Sequence, residues 1–374
     1  MQRVGVLSVR QSFLDGMAWL SAFLGVMCLL AVAAFHYPEY LTTPRLREVY
    51  AEHQVRTLLY AALVLGSLVS VAALFFSRLK RHALLGLCCV MLAWLAGGAD
   101  VSWGGPVRDS RFYVSLDWVL LDLLLIGALF INVELFFRLR REQGILRHGW
   151  QTDLAHYVAN HIFNGAVVFA LFLPAQWLVG VLSLERTQAF FAGLPVLAQL
   201  LLIYAITDLA QYWVHRAFHR VPFLWRFHKV HHSVECMDWL AGSRLHIVDL
   251  LVTRSLSLVP MVLLGFSNQA INLYLPILAL QSVFIHCNLQ FEFRRLRKII
   301  ATPKFHHWHH TRGPQHLDRN FAVSLPLWDL LFGTFHNPPG EWPRDYGLIR
   351  ERIPEGYWAH FLAPFRNKKG PDTI

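Results

Sequence analysis

The fold class predicted is all-α: a multi-span integral membrane bundle of helices carrying a helical cap on its cytoplasmic face. Three observations predict it. The 374 residues are 55% hydrophobic and only 16% charged, whereas a soluble domain carries about 25% charged residues. Six apolar runs are each long enough to cross a hydrocarbon layer of roughly 30 Å. The basic residues, 34 Lys and Arg against 24 Asp and Glu, gather in short segments between those runs, at Arg78 to Arg81, Arg138 to Arg147, Arg216 to Lys229 and Arg294 to Lys298. Clustering of that kind marks cytoplasmic loops and assigns the +10 net charge to topology and anionic headgroups rather than to nucleic acid.

The expected spans lie near 17–37, 57–77, 83–98, 117–137, 158–182 and 191–214. Met17 to Phe35 is too long for a signal-peptide core, and no small-residue cleavage site follows it, so it reads as a retained anchor. With a cytoplasmic N-terminus, the linkers 78–82 and 138–157 fall inside with the Arg and Lys clusters, and the sixth span delivers His215 to the cytoplasm. Ile247 to Phe266 and Ala270 to Ile285 are apolar and separated only by Ser267, Asn268 and Gln269. They read as a helical hairpin that enters the membrane and returns, either spanning or re-entrant, so that His246 and His286 at its ends come back to the face of His215. The chain divides into an N-terminal membrane region over 1–150 with about four spans, a catalytic region over 151–340 and a cytoplasmic tail over 341–374. The end of that tail, Lys368-Lys369-Gly370-Pro371-Asp372-Thr373-Ile374, is not an endoplasmic-reticulum dilysine signal, which favours a bacterial inner membrane.

Cys28, Cys88, Cys89, Cys236 and Cys287 have no CxxC or paired spacing, so no disulfide framework or thiolate metal site is implied. The 20 histidines are the compositional anomaly. Three clusters carry them: His215-Arg-Ala-Phe-His219, His228-Lys-Val-His231-His232 and His306-His307-Trp-His309-His310. Residues at i, i+3 and i+4 of a helix share a face, so each cluster can aim two or three imidazoles at one point. His307 is set aside because it points about 100° away from His306. Histidines snorkelling at an interface would not favour HxxHH twice, so the clusters read as a metal site.

Eight convergent imidazoles exceed the three or four protein ligands of a zinc site and suit two metals. Imidazole accepts iron, zinc, copper and nickel alike, so ligand type leaves the metal open. Two adjacent irons are the usual means of cleaving O2 beside an apolar substrate, and iron is inferred from that fit.

Around these clusters the sequence resembles the fatty acid hydroxylase and sterol desaturase superfamily, membrane-bound non-haem di-iron oxygenases of sterols, fatty acyl chains and alkylglycerols. Asp208-xxx-Tyr212-Trp213-x-His215-Arg216-xx-His219 is similar to the family's first box, Trp225-xx-His228-xx-His231-His232-Ser233 to its second, and Pro303-xx-His306-xx-His309-His310 to its third. Trp328-Asp329-xx-Phe332-Gly333-Thr334 is similar to the closing motif, so the resemblance covers roughly 204–336. The family's two further histidines correspond to His246 and to His286 of His286-Cys-Asn288, although Ile247 stands where the family has Pro and Phe321-Ala322 where it has Tyr-Gly. The resemblance implies ten metal ligands: His215, His219, His228, His231, His232, His246, His286, His306, His309 and His310.

Ten neutral imidazoles leave the charge of two divalent ions unbalanced, which calls for carboxylates nearby. Asp208, Glu235 and Asp249 are the candidates to take a ligand's second N–H, with helix capping or an ion pair to Arg216 or Arg244 as the competing role. Tyr212, Trp213, Trp225, Trp239, Trp308 and Trp328 read as interfacial anchors or core, and His156 and His161 as a polar helix end. The expected reaction is O2-dependent hydroxylation or desaturation of a lipid that enters from the bilayer. No His-Pro-Gly-Gly, Cys cluster or GxGxxG loop supplies electrons, so an external cytochrome, ferredoxin or reductase is implied. A histidine-rich metal transporter would need ligands near the midplane, away from Arg and Lys. A zinc-dependent hydrolase would need a water-activating Glu as in HExxH.

Overall fold

The computed structural model describes residues 2–105, 107, 108, 110, 113–349 and 351–366, and side chains outside 2–13, 45 and 164–173. The tail 367–374, with Lys368 and Lys369, lies outside the described residues. All regular structure among the described residues is helical, apart from two isolated β-bridges. The chain forms two compact units, Met1–Leu121 and Asp122–Ile374.

In the first unit, α1 (Gln2–His36) packs against both α2 (Glu52–Phe76) and α3 (Lys80–Leu95). Small residues allow this: a Cβ on Gly25 would strike the Gly86 backbone, and one on Gly86 would strike Ser21. Membrane helices approach closely through such small residues, because lipid tails are as apolar as Leu and give helices no hydrophobic reason to pair. Ser21 also hydrogen-bonds Ser70 at 2.8 Å, and Cys28, Val32, Leu59, Leu63 and Val90 fill the interior.

The second unit is built on α4 (Leu116–Phe137), whose residues from Asp122 onward belong to it, α5 (Trp150–Val181), α6 (Val196–Arg220) and the helices that follow. The hairpin is α8 (Ile247–Leu264) and α9 (Asn268–Phe284), preceded by the short α7 (Pro222–His228). Its turn falls two residues earlier than expected. Gly265 at φ +70° closes α8 in the left-handed conformation, and Ser267 caps α9 by accepting the Ala270 N–H at 3.3 Å, which leaves Asn268 and Gln269 inside the helix. α8 packs on α5 and α6, and α9 on α6, around Ile203, Met261, Phe266, Ala270 and Tyr274.

All six apolar runs are helical, but they are not six equal spans. Among the described residues, five helices are long and apolar enough to cross a membrane: 14–36, 52–76, 116–137, 196–220 and 247–264. α3 has 16 residues, about 24 Å at 1.5 Å per residue, and falls short. The apolar middle of α5 coincides with side chains outside the described set. The first arm of the hairpin, with 18 residues, is long enough to span. An integral membrane protein follows from these helices.

Candidate metal centre

Two prolines and one threonine set the geometry of the histidine clusters. α6 ends where Val221, forced to an extended backbone by Pro222, turns the chain. His215 and His219 therefore occupy its last two turns on one face. α7 then runs back, and His231 and His232 sit on a 3-10 turn beyond its end. Thr302 accepts the Phe305 N–H at 3.4 Å and, with Pro303 in the first turn, starts α10 (Pro303–His309), which carries the third cluster. His286 follows the last turn of α9.

These elements bring nine of the ten expected histidines into two buried groups. His215, His219, His228, His232 and His309 form one, and His231, His286, His306 and His310 the other; within each group the ligand nitrogens all lie within 4.8 Å of one another. The HxxHH clusters do not each serve one point as expected. In both, the pair at spacing four goes to one group and the histidine at i+3 to the other: His228 and His232 against His231, and His306 and His310 against His309. In the third cluster the reason is rotational, since His309 and His310 are helical neighbours that diverge by about 100°; in the second, the 3-10 turn at His231 takes the chain off α-helical spacing.

Hydrogen bonds fix which nitrogen is free. His215 Nδ1 donates to the Phe321 carbonyl (2.7 Å), His228 Nδ1 to Asp249 (2.7 Å), His309 Nδ1 to the Arg319 carbonyl (2.8 Å) and His219 Nδ1 to Asp318 (3.3 Å). His286 Nδ1 donates to the Ser282 carbonyl (2.7 Å) and His231 Nδ1 to the Arg244 carbonyl (3.3 Å). Each of these rings then presents a bare Nε2 lone pair. Nε2 of His215 and of His228 face each other at 3.0 Å, and Nε2 of His286 stands 3.0 Å from that of His306 and 3.4 Å from that of His231. Nε2 of His219, His232 and His309 is buried with no partner. Opposed lone pairs and orphaned buried acceptors are unfavourable alone and are resolved by a cation among them. The donor set therefore fits two metal ions.

Burial, followed by the neighbouring imidazoles, holds His231, His232, His306, His309 and His310 well below the ordinary histidine range, and burial brings His286 down to about 4. Neutral imidazoles are the ligating form.

The remaining predicted residues separate. His246 is not in either group. Its Nδ1 accepts the Val248 N–H at 3.1 Å as the cap of α8, and its Nε2 donates to the Phe361 carbonyl at 3.1 Å, so both nitrogens are engaged. Asp249 accepts from Nδ1 of His228 rather than from the neighbouring His246. Asp208 touches no imidazole; it accepts the N–H groups of Val323, Ser324 and Leu325 at 3.2, 2.9 and 2.7 Å. It thereby fixes the segment whose Phe321 carbonyl holds His215. Glu235 pairs with Arg352 at 3.3 Å on the surface. His307 lies outside both groups, hydrogen-bonded to Tyr346 (2.9 Å) and to the His286 carbonyl (3.3 Å).

Sequence reasoning missed Asp318, eight residues past His310, because no helical spacing links it to His219. It also missed a buried ionic network. Arg147 grips Asp238 through two bonds of 2.8 and 2.7 Å and pairs with Asp153, and Arg244 pairs with Asp153 and with Glu355 (3.3 Å). That network anchors the 238–244 loop, whose end supplies the carbonyl for His231. A run of Arg and Asp buried beside a histidine cluster leaves no periodic signal.

Residues 200–334 match the family model described as fatty acid hydroxylase. The chain is 33% identical over 180 residues to the ornithine lipid hydroxylase OlsE of Rhizobium tropici, covering 48% of this chain and 54% of that protein. It is 32% identical over 128 residues to the alkylglycerol monooxygenase of Danio rerio, covering 34% and 28%. To the very-long-chain aldehyde decarbonylase GL1-5 of Oryza sativa subsp. indica it is 24% identical over 262 residues, covering 66% and 40%. The chain thus spans about half the length, or less, of the curated relatives it matches. No solved structure matches it. The family match covers all three histidine clusters and the His286 turn, so the likeness to fatty acid hydroxylases lies in residues 200–334.

Proposed function

We propose that the protein is a membrane-bound non-haem di-iron oxidoreductase that uses O2 to hydroxylate a lipid. The observation that carries this reading is the pair of buried groups of five and four imidazoles, the ligand nitrogens of each within 4.8 Å of one another. His215, His219, His228, His232 and His309 would hold one iron, and His231, His286, His306 and His310 the other. Iron bound there supplies the O2 activation that no imidazole or carboxylate can supply.

The chain's own residues do the rest. Asp249, Asp318 and the carbonyls of Phe321, Arg319, Arg244 and Ser282 hold the imidazoles in one tautomer, which aims Nε2 inward. Burial of every ligand keeps bulk water from the reaction. α6 and the hairpin wall the approach from the bilayer. The balance is R–H + O2 + two electrons + two protons giving R–OH + H2O, with the electrons from an external cytochrome, ferredoxin or reductase. The names of the relatives, an ornithine lipid hydroxylase and an alkylglycerol monooxygenase, support a lipid substrate and favour hydroxylation over desaturation. Residues 151–340 form the catalytic region in this reading, and the Arg and Lys clusters set the N-terminus and the histidine face on the cytoplasmic side.

The test is metal analysis and O2 uptake of the purified protein with a chemical reductant and a lipid extract. Two irons per chain, with O2 uptake coupled to a product heavier by one oxygen atom, is the expected result. One zinc per chain and no O2 dependence overturns it.

A further inference from the structure

α8 carries one charged residue deep in its length that the metal centre does not use. Arg254 lies seven residues inside the helix start at Ile247, about 10 Å along the axis. It is half-buried and borders the protein-facing stripe of Leu250, Ser257 and Met261, at i−4, i+3 and i+7, which are buried. A charge there is expensive and is ordinarily paired with a carboxylate or a carbonyl. Arg254 has neither: among the described residues no hydrogen bond or ion pair reaches its guanidinium.

The surroundings are rich in donors and poor in acceptors. Thr207 spends its hydrogen on the Ile203 carbonyl (2.6 Å), so Tyr274 donates to Thr207 (2.6 Å). Ser257, one turn from Arg254, donates to Gln211 Oε1 at 2.7 Å, and the Gln211 amide N–H2 has no acceptor among the described residues. Gln211 and Thr207 precede His215 on α6 by one and two turns, about 6 and 12 Å. Two unspent donors, one of them a cation, therefore belong to the facing helices α6 and α8, which the Ser257–Gln211 bond ties together one to two turns from the metal ligands.

We propose that Arg254, with Gln211 beside it, binds the oxyanion of an acidic lipid substrate, a carboxylate or a phosphate. A planar guanidinium is suited to both through paired N–H bonds, and an anion supplied by the substrate removes the cost of the unpaired charge only when the site is filled. This makes Arg254 a specificity residue that selects acidic over neutral lipids of equal chain length. The proposal rests on the lipid-oxygenase reading for the word substrate, but binding can be read with turnover off.

The experiment measures binding of oleate, oleyl phosphate and oleyl alcohol to the purified full-length protein by native mass spectrometry, without reductant. Wild type should retain at least one of the two acidic probes ten-fold or more tightly than the alcohol, and whichever is retained names the oxyanion. Arg254→Gln should erase that preference with iron content unchanged, and Arg254→Lys should keep part of it. Equal binding of all three probes by wild type overturns the proposal, and this comparison needs no variant to fold. Persistence of the preference in Arg254→Gln overturns it as well. A failed oxygenase reading would show in O2 uptake and leave these binding ratios untouched.

Discussion

Asp249 offers the sharpest test of how the metal centre is held. It is 2% exposed, and its two oxygens are both used, one by His228 Nδ1 at 2.7 Å and one by the Thr253 hydroxyl at 3.0 Å. Replacing Asp249 by Ala leaves the His228 N–H buried with no acceptor, which costs about 1–3 kcal/mol. It also frees the ring to change tautomer and turn an N–H toward the metal. Loss of such an outer partner lowers metal affinity about 10–100-fold, and at 1.4 kcal/mol per decade that is about 1.4–2.8 kcal/mol. Asp249→Asn keeps an acceptor oxygen but loses the charge and can serve only one of its two partners, so its loss belongs near the lower end, about ten-fold. The assay is retention of iron against a graded chelator series, with the thermal midpoint of the metal-free protein as a control for folding. Wild-type iron retention in Asp249→Ala would refute the assignment of Asp249 as the partner that fixes His228.

Acid should destabilise the metal-free protein. Burial holds His231, His232, His306, His309 and His310 well below the ordinary range. The unfolded chain therefore binds protons that the folded chain does not as pH falls through about 6.5. Stability is full above that value and lost below it: each such histidine costs about 1.4 kcal/mol at pH 5.5, so five cost about 7 kcal/mol against a typical total of about 5–15 kcal/mol. A thermal midpoint that stays level from pH 7.5 to 5.5 contradicts this. His309→Ala should lose iron and activity together, whereas His246→Ala should keep both iron ions and lose about 1 kcal/mol of stability as a missing helix cap. Iron loss in His246→Ala would return that residue to the ligand set.

The local part of this centre could be read from spacing, because i and i+4 relations are fixed by the helix itself. His215 with His219 and His306 with His310 meet as such pairs, and His228 with His232 meets at the same spacing although the helix ends at His228. The hairpin was legible for a similar reason, since two apolar runs with a short polar break have few other solutions. Spacing could not tell that His231 and His309 cross to the opposite group, because the 3-10 turn at His231 and the end of α10 depend on Pro222, Thr302 and Pro303 together. Nor could it place His246, whose Nε2 partner is the Phe361 carbonyl 115 residues away. Asp208 reads from the sequence as a partner for a ligand's second N–H, yet its partners are three peptide N–H groups of a segment more than a hundred residues on. Contacts of that length are set by tertiary packing and carry no period.

The distribution of charge behind the imidazoles is the remaining step. Among the described residues, carboxylates hydrogen-bond the imidazoles of only one of the two groups: Asp249 serves His228 and Asp318 serves His219, both in the group of five, whereas Asp238, paired with Arg147, acts on His286 only through space. In the group of four, His231 and His286 are held by peptide carbonyls. A carboxylate partner raises the basicity of a ligating imidazole more than a neutral carbonyl does. The group with more ligands is therefore also the group with more negative charge behind it, and the two ions would sit in unequal fields. Each HxxHH cluster supplies both groups, so the unequal fields are fastened to one rigid frame: neither group can shift without moving histidines that belong to the other.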